Sequence, residues 1–208
     1  MTNQELQELY LYNNHLTDEG MATFGQMLQS KHSLFILGLE FNQIGSEGAS
    51  YVFSSVKHLK NFEKLYLNQN DIKKEVSDSL LDCLSTIENL KELRLSSNKL
   101  GDEGGKALAA ALQACKSLRV CHLSNNKLSR EAALAMAAVV RTHATVKDLD
   151  LSSNMIIMEE LQELASAFKE SHVECLNLRG NLISAEEIMA FDSVLQFVSN
   201  LPKRKFLF

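Results

Sequence analysis

The chain has 208 residues, of which 45% are apolar, and a formal net charge of −5 at pH 7. This length and composition suit one unit with an ample core. The negative charge argues against nucleic acid as the main partner, because binding to phosphates needs a basic stripe. No apolar run reaches the roughly 18 residues of a membrane span, and no signal peptide follows Met1.

An asparagine recurs along the chain at intervals of 28 residues, with a final interval of 27. The seven copies are Asn14, Asn42, Asn70, Asn98, Asn126, Asn154 and Asn181. A leucine stands three residues before each copy, and a leucine or cysteine stands five residues before it. Such alternation places both side chains on one face of a short strand. A short amide side chain bonds the backbone where the chain turns. We therefore interpret all seven asparagines as structural, stacked in a ladder inside the coil.

The second half of each repeat has the periodicity of a helix. Apolar residues stand ten and fourteen positions after each asparagine, for example Leu108 and Leu112, and residues four apart share a helix face. Asp18 and Asp102 suit helix N-termini, and residues 184–187 fit a capping box. Each repeat therefore predicts a strand, a turn, a helix and a second turn. One such unit cannot bury its own apolar face, whereas a stack of them can.

The repeats follow one another without a linker, which predicts a single domain over residues 1–208. The predicted bounds of the repeats are 6–33, 34–61, 62–89, 90–117, 118–145, 146–172 and 173–200. Residues 1–5 are too short to cover the first coil, so we expect either a longer parent chain or a partner at that end.

The last eight residues, 201–208, restart the repeat and place Phe206 at the position of Leu178. They predict a truncated eighth strand that caps the C-terminal edge. The one basic cluster of the chain, Lys203 to Lys205, lies in this segment. We interpret it as a solvated tail.

The consensus LxxLxLxxNxLxxxGxxxLxxxL over nearly the whole chain resembles the ribonuclease-inhibitor type of leucine-rich repeat. The resemblance implies an α/β fold, a right-handed horseshoe solenoid of about seven repeats with parallel strands on the concave face and helices on the convex face. Relatives of this type include ribonuclease inhibitor, the Ran GTPase-activating protein, sensor regions of NOD-like receptors, tropomodulin-like proteins and effectors of bacterial pathogens. Most bind proteins through the concave face and few are enzymes. We therefore expect a protein–protein interaction module without catalysis or cofactor, which acts as a monomer or as part of a longer chain.

Strand residues that do not point into the core should line the concave face, with neighbours about 4.8 Å apart. The candidate partner-binding residues on this face are Tyr10, Tyr12, Ile36, Glu40, Phe41, Tyr66, Arg94, His122, Asp148, Asp150 and Arg179. The aromatic members are of the types that anchor interfaces, although tyrosine is also a good strand former. Gly38 should leave a hollow between Tyr10 and Tyr66. The alternative for the two aspartates is a solvated face balanced by Lys147, Arg119 or Arg94.

The loop from Met155 to Met158 is a second candidate surface. Ile156 takes the core position, but Ile157 and Met158 stand where other repeats carry glycine, serine or aspartate. Either a partner covers these two side chains, or they fold under the start of the next helix.

Patterns that resemble sites of chemistry are weak in this sequence. Ser124, His122 and Asp150 would form a flat row without oxyanion donors. Residues 101–107 resemble a phosphate-binding loop, but they have three residues rather than four before Gly-Lys, and Ala107 replaces the magnesium ligand. No Cys/His spacing suits zinc, so we expect no metal site. The four cysteines have no paired spacing either, which favours a reducing compartment and a cytoplasmic location.

Two alternatives to simple binding stay open. The resemblance to the Ran GTPase-activating protein implies an arginine on a strand-to-helix loop, and Arg130 is the only arginine in such a loop here. The long acidic tail of that family is missing from the chain, and the loop is short. The second alternative is a secreted bacterial effector that binds proteins of the host cytosol.

Overall fold

Strands of three residues pair in chain order into one parallel sheet in the computed structural model, which describes residues 5–190 and 204–208. The strands are β1 Glu8–Tyr10, β2 Ile36–Gly38, β3 Lys64–Tyr66, β4 Glu92–Arg94, β5 Val120–His122, β6 Asp148–Asp150, β7 Cys175–Asn177 and β8 Lys205–Leu207. Leu9, Leu37, Leu65 and Leu93 stand opposite one another in adjacent strands. The predicted interior column of leucines is therefore confirmed.

A helix follows each of the first seven strands. The helices are α1 Asp18–Leu28, α2 Ser46–Val56, α3 Ser77–Thr86, α4 Gly101–Ala114, α5 Arg130–Thr142, α6 Met158–Glu170 and α7 Ala185–Ala190. A 3₁₀ turn, Lys74–Val76, precedes α3. Neighbouring helix axes lie about 8–10 Å apart and neighbouring strands only about 4.8 Å apart, so the stack curves with the strands inside. The predicted α/β solenoid, with a concave strand face and a convex helix face, is confirmed.

The core lies between the sheet and the helices. Leu37, Leu65, Leu93, Cys121 and Leu149 are fully buried in one continuous column, and the helix residues predicted to face them are buried as well. In the first coil Leu6, Leu9 and Leu11 are only partly buried, because no repeat described in the structure covers them.

The asparagine ladder forms as predicted, apart from its first member. The amide nitrogen of Asn126 donates to Leu123 O in its own repeat (3.2 Å) and to Leu95 O in the preceding one (2.8 Å). Its amide oxygen accepts from Leu100 N at 3.4 Å. The same pattern joins Asn42, Asn70, Asn98, Asn154 and Asn181 to their preceding repeats. Asn14 is exposed, and within the described residues its amide nitrogen bonds only Tyr12 O, because no preceding repeat is described there.

The C-terminal strand differs from its predicted register. Phe206 stands beside Leu176 rather than at the position of Leu178, two residues away from the prediction. The reason is packing, because Phe206 is buried with its ring centre 5.3 Å from that of Phe168. Residues 191–203 lie outside the described part of the chain, and with them the end of the predicted seventh repeat, Lys203 and residues 201–203 of the predicted eighth strand.

The interpretation of the basic cluster as a solvated tail is wrong for Arg204. Its guanidinium lies 4.1 Å from the centre of the Phe168 ring and donates to Val173 O (2.8 Å), to Ser171 Oγ (3.1 Å) and to Phe168 O. Burial lowers the pKa of this guanidinium. A cation that bonds the last carbonyls of a helix is favourable there, so Arg204 ties the end of α6 to β8.

Residues 101–107, the segment that resembles a phosphate-binding loop, are neither a loop nor the turn expected between strand and helix, because they already form the first turns of α4. Gly101 has a φ of +60°, which suits glycine, and the residues after it form the first turns of α4. A Cβ on Gly105 would lie 2.6 Å from the Cβ of Ala132, so this glycine allows α4 and α5 to approach closely.

Candidate functional site

Three aromatic side chains stand exposed at the N-terminal end of the concave face. Tyr10 is 46% exposed, Tyr12 61% and Phe41 54%. Tyr10 ends β1, whereas Tyr12 and Phe41 lie just beyond the ends of β1 and β2. With the half-buried Tyr66 of β3 they form what we call the aromatic end. Exposed aromatic groups on a rigid strand scaffold are of the type that anchors protein interfaces.

Phe41 is held in an unfavourable backbone conformation. The residue before each ladder asparagine has a positive φ, and these residues are Asn13, Phe41, Gln69, Ser97, Asn125, Ser153 and Gly180. Small or polar residues tolerate this region, whereas for a bulky side chain it is unusual. Phe41 has a φ of +57° and is exposed, so neither the backbone nor the core explains a phenylalanine at this position.

The hollow predicted beside Gly38 is filled by the chain itself. A Cβ on Gly38 would lie 2.8 Å from Cδ1 of Tyr10 and 3.0 Å from Oε2 of Glu40. The Tyr10 ring and the Glu40 carboxylate therefore lean over the glycine. The prediction of an open hollow is wrong for this state of the protein, because side chains from the two adjacent repeats occupy the space.

Ile36 is buried, contrary to its prediction as an exposed wall residue. It lies on the concave strand β2, but only 6% of its surface is exposed. Its neighbours in the adjacent strands are Glu8 and Lys64, both with longer side chains. A short side chain between two longer ones about 4.8 Å away is shielded from solvent, so Ile36 offers a partner almost no surface.

Tyr66, Glu92 and Arg94 form one contact group on β3 and β4. The Tyr66 hydroxyl donates to Glu92 Oε2 at 3.2 Å, and Arg94 Nη2 pairs with Glu92 Oε1 at 2.5 Å. The Arg94 guanidinium lies 5.1 Å from the centre of the Tyr66 ring. Burial and the Glu92 carboxylate raise the pKa of Tyr66 to about 12. The hydroxyl therefore stays protonated and acts as a hydrogen-bond donor throughout the physiological range.

Glu40 has an incompletely satisfied carboxylate. Among the described residues its Oε2 is the one buried side-chain oxygen or nitrogen without a hydrogen-bond partner. Burial raises the pKa of Glu40, and no described cation lies within ion-pair distance of it. A buried acceptor without a donor is costly, so this oxygen marks a point where an incoming donor would be stabilising.

Asp148 and Asp150 of β6 form what we call the acidic end of the concave face, and one of these carboxylates is paired with a neighbouring side chain. Asp148 Oδ2 lies 3.5 Å from His122 Nε2, and this contact is the main cause that lowers the pKa of Asp148. Asp150 Oδ1 accepts from Ser152 N at 2.9 Å. Of the cations predicted to balance the two aspartates, Lys147 pairs instead with Glu174 at 3.3 Å, whereas attraction from Arg94 contributes to the lowered pKa of Asp148. His122 therefore pairs with Asp148 and not with Asp150, so the row that resembled a catalytic triad is not assembled.

Cys175 of β7 and Arg179 lie next to the acidic end. Burial and the neighbouring Asp148 carboxylate raise the pKa of the Cys175 thiol, which makes it a poor nucleophile. Arg179 is exposed just beyond β7, and no ion pair of its side chain is seen within the described residues. The candidate residues thus fall into an aromatic group at β1–β3 and a charged group at β5–β7, with Arg94 of β4 between them.

The sequence left open whether the apolar side chains of the loop from Met155 to Met158 are exposed or fold under the next helix, and the structure shows some of each. Ile156 fills the core as predicted and Met158 packs partly against it, whereas Met155 and Ile157 are 48% and 44% exposed. Leu182 of the next repeat, 57% exposed, lies beside them through its backbone bond to Ile156 O. Sequence reasoning missed Leu182, although it follows a ladder asparagine as Met155 does.

Arg130 is engaged in the structure. It begins α5, and its guanidinium bonds Glu159 at 2.7 Å and Glu160 at 3.1 Å in the next repeat. Glu160 is buried and also accepts from Ile157 N at 3.0 Å. This arrangement gives Arg130 a structural role between α5 and α6.

Other kinds of site find no support in the part of the chain that the structure describes. No described group of histidine, cysteine and carboxylate side chains could hold a metal ion, and no described helix is long and apolar enough to span a membrane. The four cysteines are free thiols, and burial raises the pKa of both Cys83 and Cys121 to about 12.

Comparison with known proteins agrees with this architecture. A sequence profile described as "Leucine Rich repeat" matches residues 2–25, 30–53 and 87–109. These three stretches, which overlap the first, second and fourth repeats, are thus similar to leucine-rich repeats. A search of curated protein sequences finds no significant match.

Solved structures of the same fold include three proteins of low sequence identity. Leiomodin-1 actin-binding site 2 is 14% identical with a TM-score of 0.52, over 81% of this chain and 82% of that one. The tropomodulin C-terminal domain of Caenorhabditis elegans is 16% identical with a TM-score of 0.50, over 81% and 86%. The internalin InlF of Listeria monocytogenes is 17% identical with a TM-score of 0.52, over 90% of this chain and 45% of that one. At such identities the likeness extends to the fold alone.

Proposed function

We propose that this protein is a binding module that docks a protein partner on its concave face and carries out no chemistry of its own. The observation that carries the proposal is the aromatic end, where Tyr10, Tyr12 and Phe41 are each about half exposed or more. Leucine-rich repeats typically serve as rigid frames for such contacts. We further propose the ribonuclease-inhibitor subtype, from the 28-residue period, a single domain and a cytoplasmic location, which the free thiols favour.

The charged group at β5–β7 is proposed as the secondary part of the same surface. Asp148 is already paired with His122, so a partner gains less from it than from an unpaired carboxylate. Asp150 and Arg179 are accessible and of opposite sign, which suits orientation of the partner. Most of the affinity is therefore assigned to the aromatic end.

The GTPase-activating alternative gains no support from the geometry. An arginine that acts on a bound nucleotide must be free to reach it, whereas Arg130 is held by Glu159 and Glu160. The effector alternative concerns origin rather than geometry, and the same concave surface would serve it. The matched region of leiomodin-1 is an actin-binding site. We do not assign actin as the partner of this protein, because a sequence identity of 14% supports a common fold and not a common partner.

The test is affinity capture from cytosolic extract with the wild-type protein and with the double variant Tyr10→Ala, Tyr66→Ala. Tyr51→Ala is the matched control, because Tyr51 is an exposed tyrosine on the convex helix α2. Loss of anchoring aromatics costs about 2 kcal/mol or more each in an interface. We therefore expect the double variant to lose the captured partner and Tyr51→Ala to retain it, while both melting temperatures stay within a few degrees of wild type. Equal capture by all three proteins would remove the aromatic end as the site.

A further inference from the structure

Two tyrosines of one concave column have different neighbours. In the register of the sheet, Tyr66 of β3 stands beside Arg94 of β4, and Tyr10 of β1 stands beside Gly38 of β2. Arg94 lays its guanidinium over the Tyr66 ring and pairs with Glu92, to which the Tyr66 hydroxyl also donates. The fold thus contains one complete group of tyrosine, carboxylate and guanidinium.

The group around Tyr10 has the same parts except the cation. The Tyr10 hydroxyl donates to Glu8 Oε2 at 2.9 Å, and a Cβ on Gly38 would meet both the Tyr10 ring at 2.8 Å and the Glu40 carboxylate at 3.0 Å. Within the described residues neither Glu8 nor Glu40 makes an ion pair, and Oε2 of Glu40 has no hydrogen-bond donor. Gly38, at the position equivalent to Arg94, contributes no side chain.

The charge of the surroundings also favours a cation. Glu92 is neutralised by Arg94 and approached by Lys64 at 3.9 Å, whereas Glu8 and Glu40 form no ion pair within the described residues. The Tyr10 hydroxyl bonds Glu8, and Arg94 attracts Glu40 only from beyond ion-pair distance. Desolvation of the Glu40 carboxylate strengthens any hydrogen bond that a charged donor makes to it. A planar guanidinium offers both a face for the ring and a fork of donors for the carboxylate, which an ammonium group does not.

We propose that the protein partner inserts an arginine side chain at this position, stacked on Tyr10 over Gly38 and paired with Glu40. This deepens the proposed function and rests on it, since the arginine belongs to the protein docked on the concave face. The Tyr10 ring and the Glu40 carboxylate, which now occupy the hollow, move outward to admit the guanidinium. Tyr10 is 46% exposed, so solvent leaves room for that movement.

The chain offers a direct optical test. It contains no tryptophan and four tyrosines, and three of these, Tyr10, Tyr12 and Tyr66, lie at the aromatic end. Tyrosine fluorescence is therefore measured during titration with the peptide acetyl-Gly-Arg-Gly-amide, with the same peptide carrying citrulline, and with the lysine peptide. Citrulline keeps the shape of arginine and removes its charge.

We expect the arginine peptide to bind at least about tenfold more tightly than the citrulline and lysine peptides, the factor that corresponds to one stacked and paired guanidinium. Glu40→Gln should weaken arginine binding by about tenfold, whereas Glu170→Gln, an exposed carboxylate on the convex helix α6, should leave it unchanged. Equal binding of the citrulline peptide, or no effect of Glu40→Gln, would overturn the proposal. Equal binding of the lysine peptide would overturn the assignment to arginine.

A second variant supplies the missing group from within the chain. Gly38 does not have a positive φ, so its backbone is not strained by a side chain, although the new Cβ displaces the Tyr10 ring, which would lie 2.8 Å from it. G38R then reproduces the position of Arg94. We expect G38R to abolish binding of the arginine peptide while the fold persists by circular dichroism. Partner capture distinguishes failure of the arginine proposal from failure of the proposed concave binding site. Partner capture that depends on Tyr10 and Tyr66 but not on Glu40 keeps the concave site and removes the arginine, whereas capture indifferent to the tyrosines removes the site itself.

Discussion

The carboxylate of Asp102, in the first turn of α4, accepts a hydrogen bond from the backbone N–H of Ser129 at 2.7 Å, at the start of α5 in the next repeat. The same carboxylate accepts from Ala132 N at 3.2 Å and from the Ser129 hydroxyl. Asp18 caps the start of α2 in the same way through Gly45 and Gly48. Each aspartate thus satisfies the free N–H groups of the following helix and joins two repeats.

Asp102→Ala should lower the free energy of unfolding by about 0.5–2 kcal/mol at pH 7, the usual cost of losing a helix cap. Although burial acts in the opposite direction, the hydrogen bonds from Ser129 and Ala132 lower the pKa of Asp102. The contribution is therefore present above the unfolded pKa, about 3.9, and is lost as the pH falls through the lower folded pKa. Urea denaturation between pH 7 and pH 2 should show wild type and variant converging at the acid end.

Asp78→Ala is the control for this prediction, since Asp78 is an acid in the first turn of α3 and makes no hydrogen bond to the start of α4 within the described residues. Its effect should stay within about 0.5 kcal/mol. A gap between wild type and Asp102→Ala that widens below pH 4 would contradict the cap.

Asn126→Ala should destabilise the protein by about 2–4 kcal/mol, because it removes the Oδ1 acceptor of the buried Leu100 N–H and one of the two ladder donors to each of two buried carbonyls. Asn126 is fully buried and donates to Leu95 O and Leu123 O. Asn14→Ala is the matched control at the same repeat position, where the amide is exposed, and should cost less than about 0.5 kcal/mol. Chemical denaturation measures both, and similar losses in the two variants would contradict the ladder as a source of stability.

Phe41→Asn should stabilise the protein by about 0.5–1 kcal/mol, since asparagine tolerates the left-handed backbone at φ +57° better than a bulky residue does. The same substitution should weaken capture of the partner, because it removes an exposed aromatic side chain. The reverse change, Ser97→Phe at the equivalent position of the fourth repeat, should lower the melting temperature. Unchanged capture with a raised melting temperature would show that Phe41 lies outside the interface.

Phe206→Ala should lower the free energy of unfolding of the C-terminal repeats by about 3–5 kcal/mol, the usual range for the loss of a buried phenylalanine side chain. Because each repeat contacts only its neighbours, the loss should appear as faster hydrogen exchange in β7 and the end of α6, with little change near β1. Lys205→Ala in the same strand is the control, since Lys205 is exposed. Uniformly faster exchange along the whole chain would show that the solenoid unfolds as one unit.

Much of the fold could be predicted from the sequence because its local signals recur in every repeat. Leu93, Asn98 and Leu108 each occupy a position that is dictated by strand alternation, turn chemistry or helical spacing. Where a signal occurs once, the prediction failed. The register of Phe206 follows from its contact with Phe168. The role of Arg204 follows from its contacts with the end of α6 and with the Phe168 ring. A repeat consensus contains neither set of contacts.

The candidate site was predicted less well than the fold for the same reason. The sequence placed Tyr10, Glu40 and Tyr66 on the concave face, but it left Gly38 open and Ile36 exposed. Whether a wall residue is exposed depends on the lengths of the side chains on both adjacent strands, which come from repeats 28 residues away.

The sequence by itself determined the period, the strand-and-helix unit and which strand residues lie on the concave face, because each depends on local geometry repeated in register. Only the tertiary structure decided which charges are already matched. Arg94 pairs with Glu92, whereas no described cation lies within ion-pair distance of Glu40. Which of the two carboxylates the guanidinium meets depends on how the side chains pack on the concave face, which the repeat pattern does not specify.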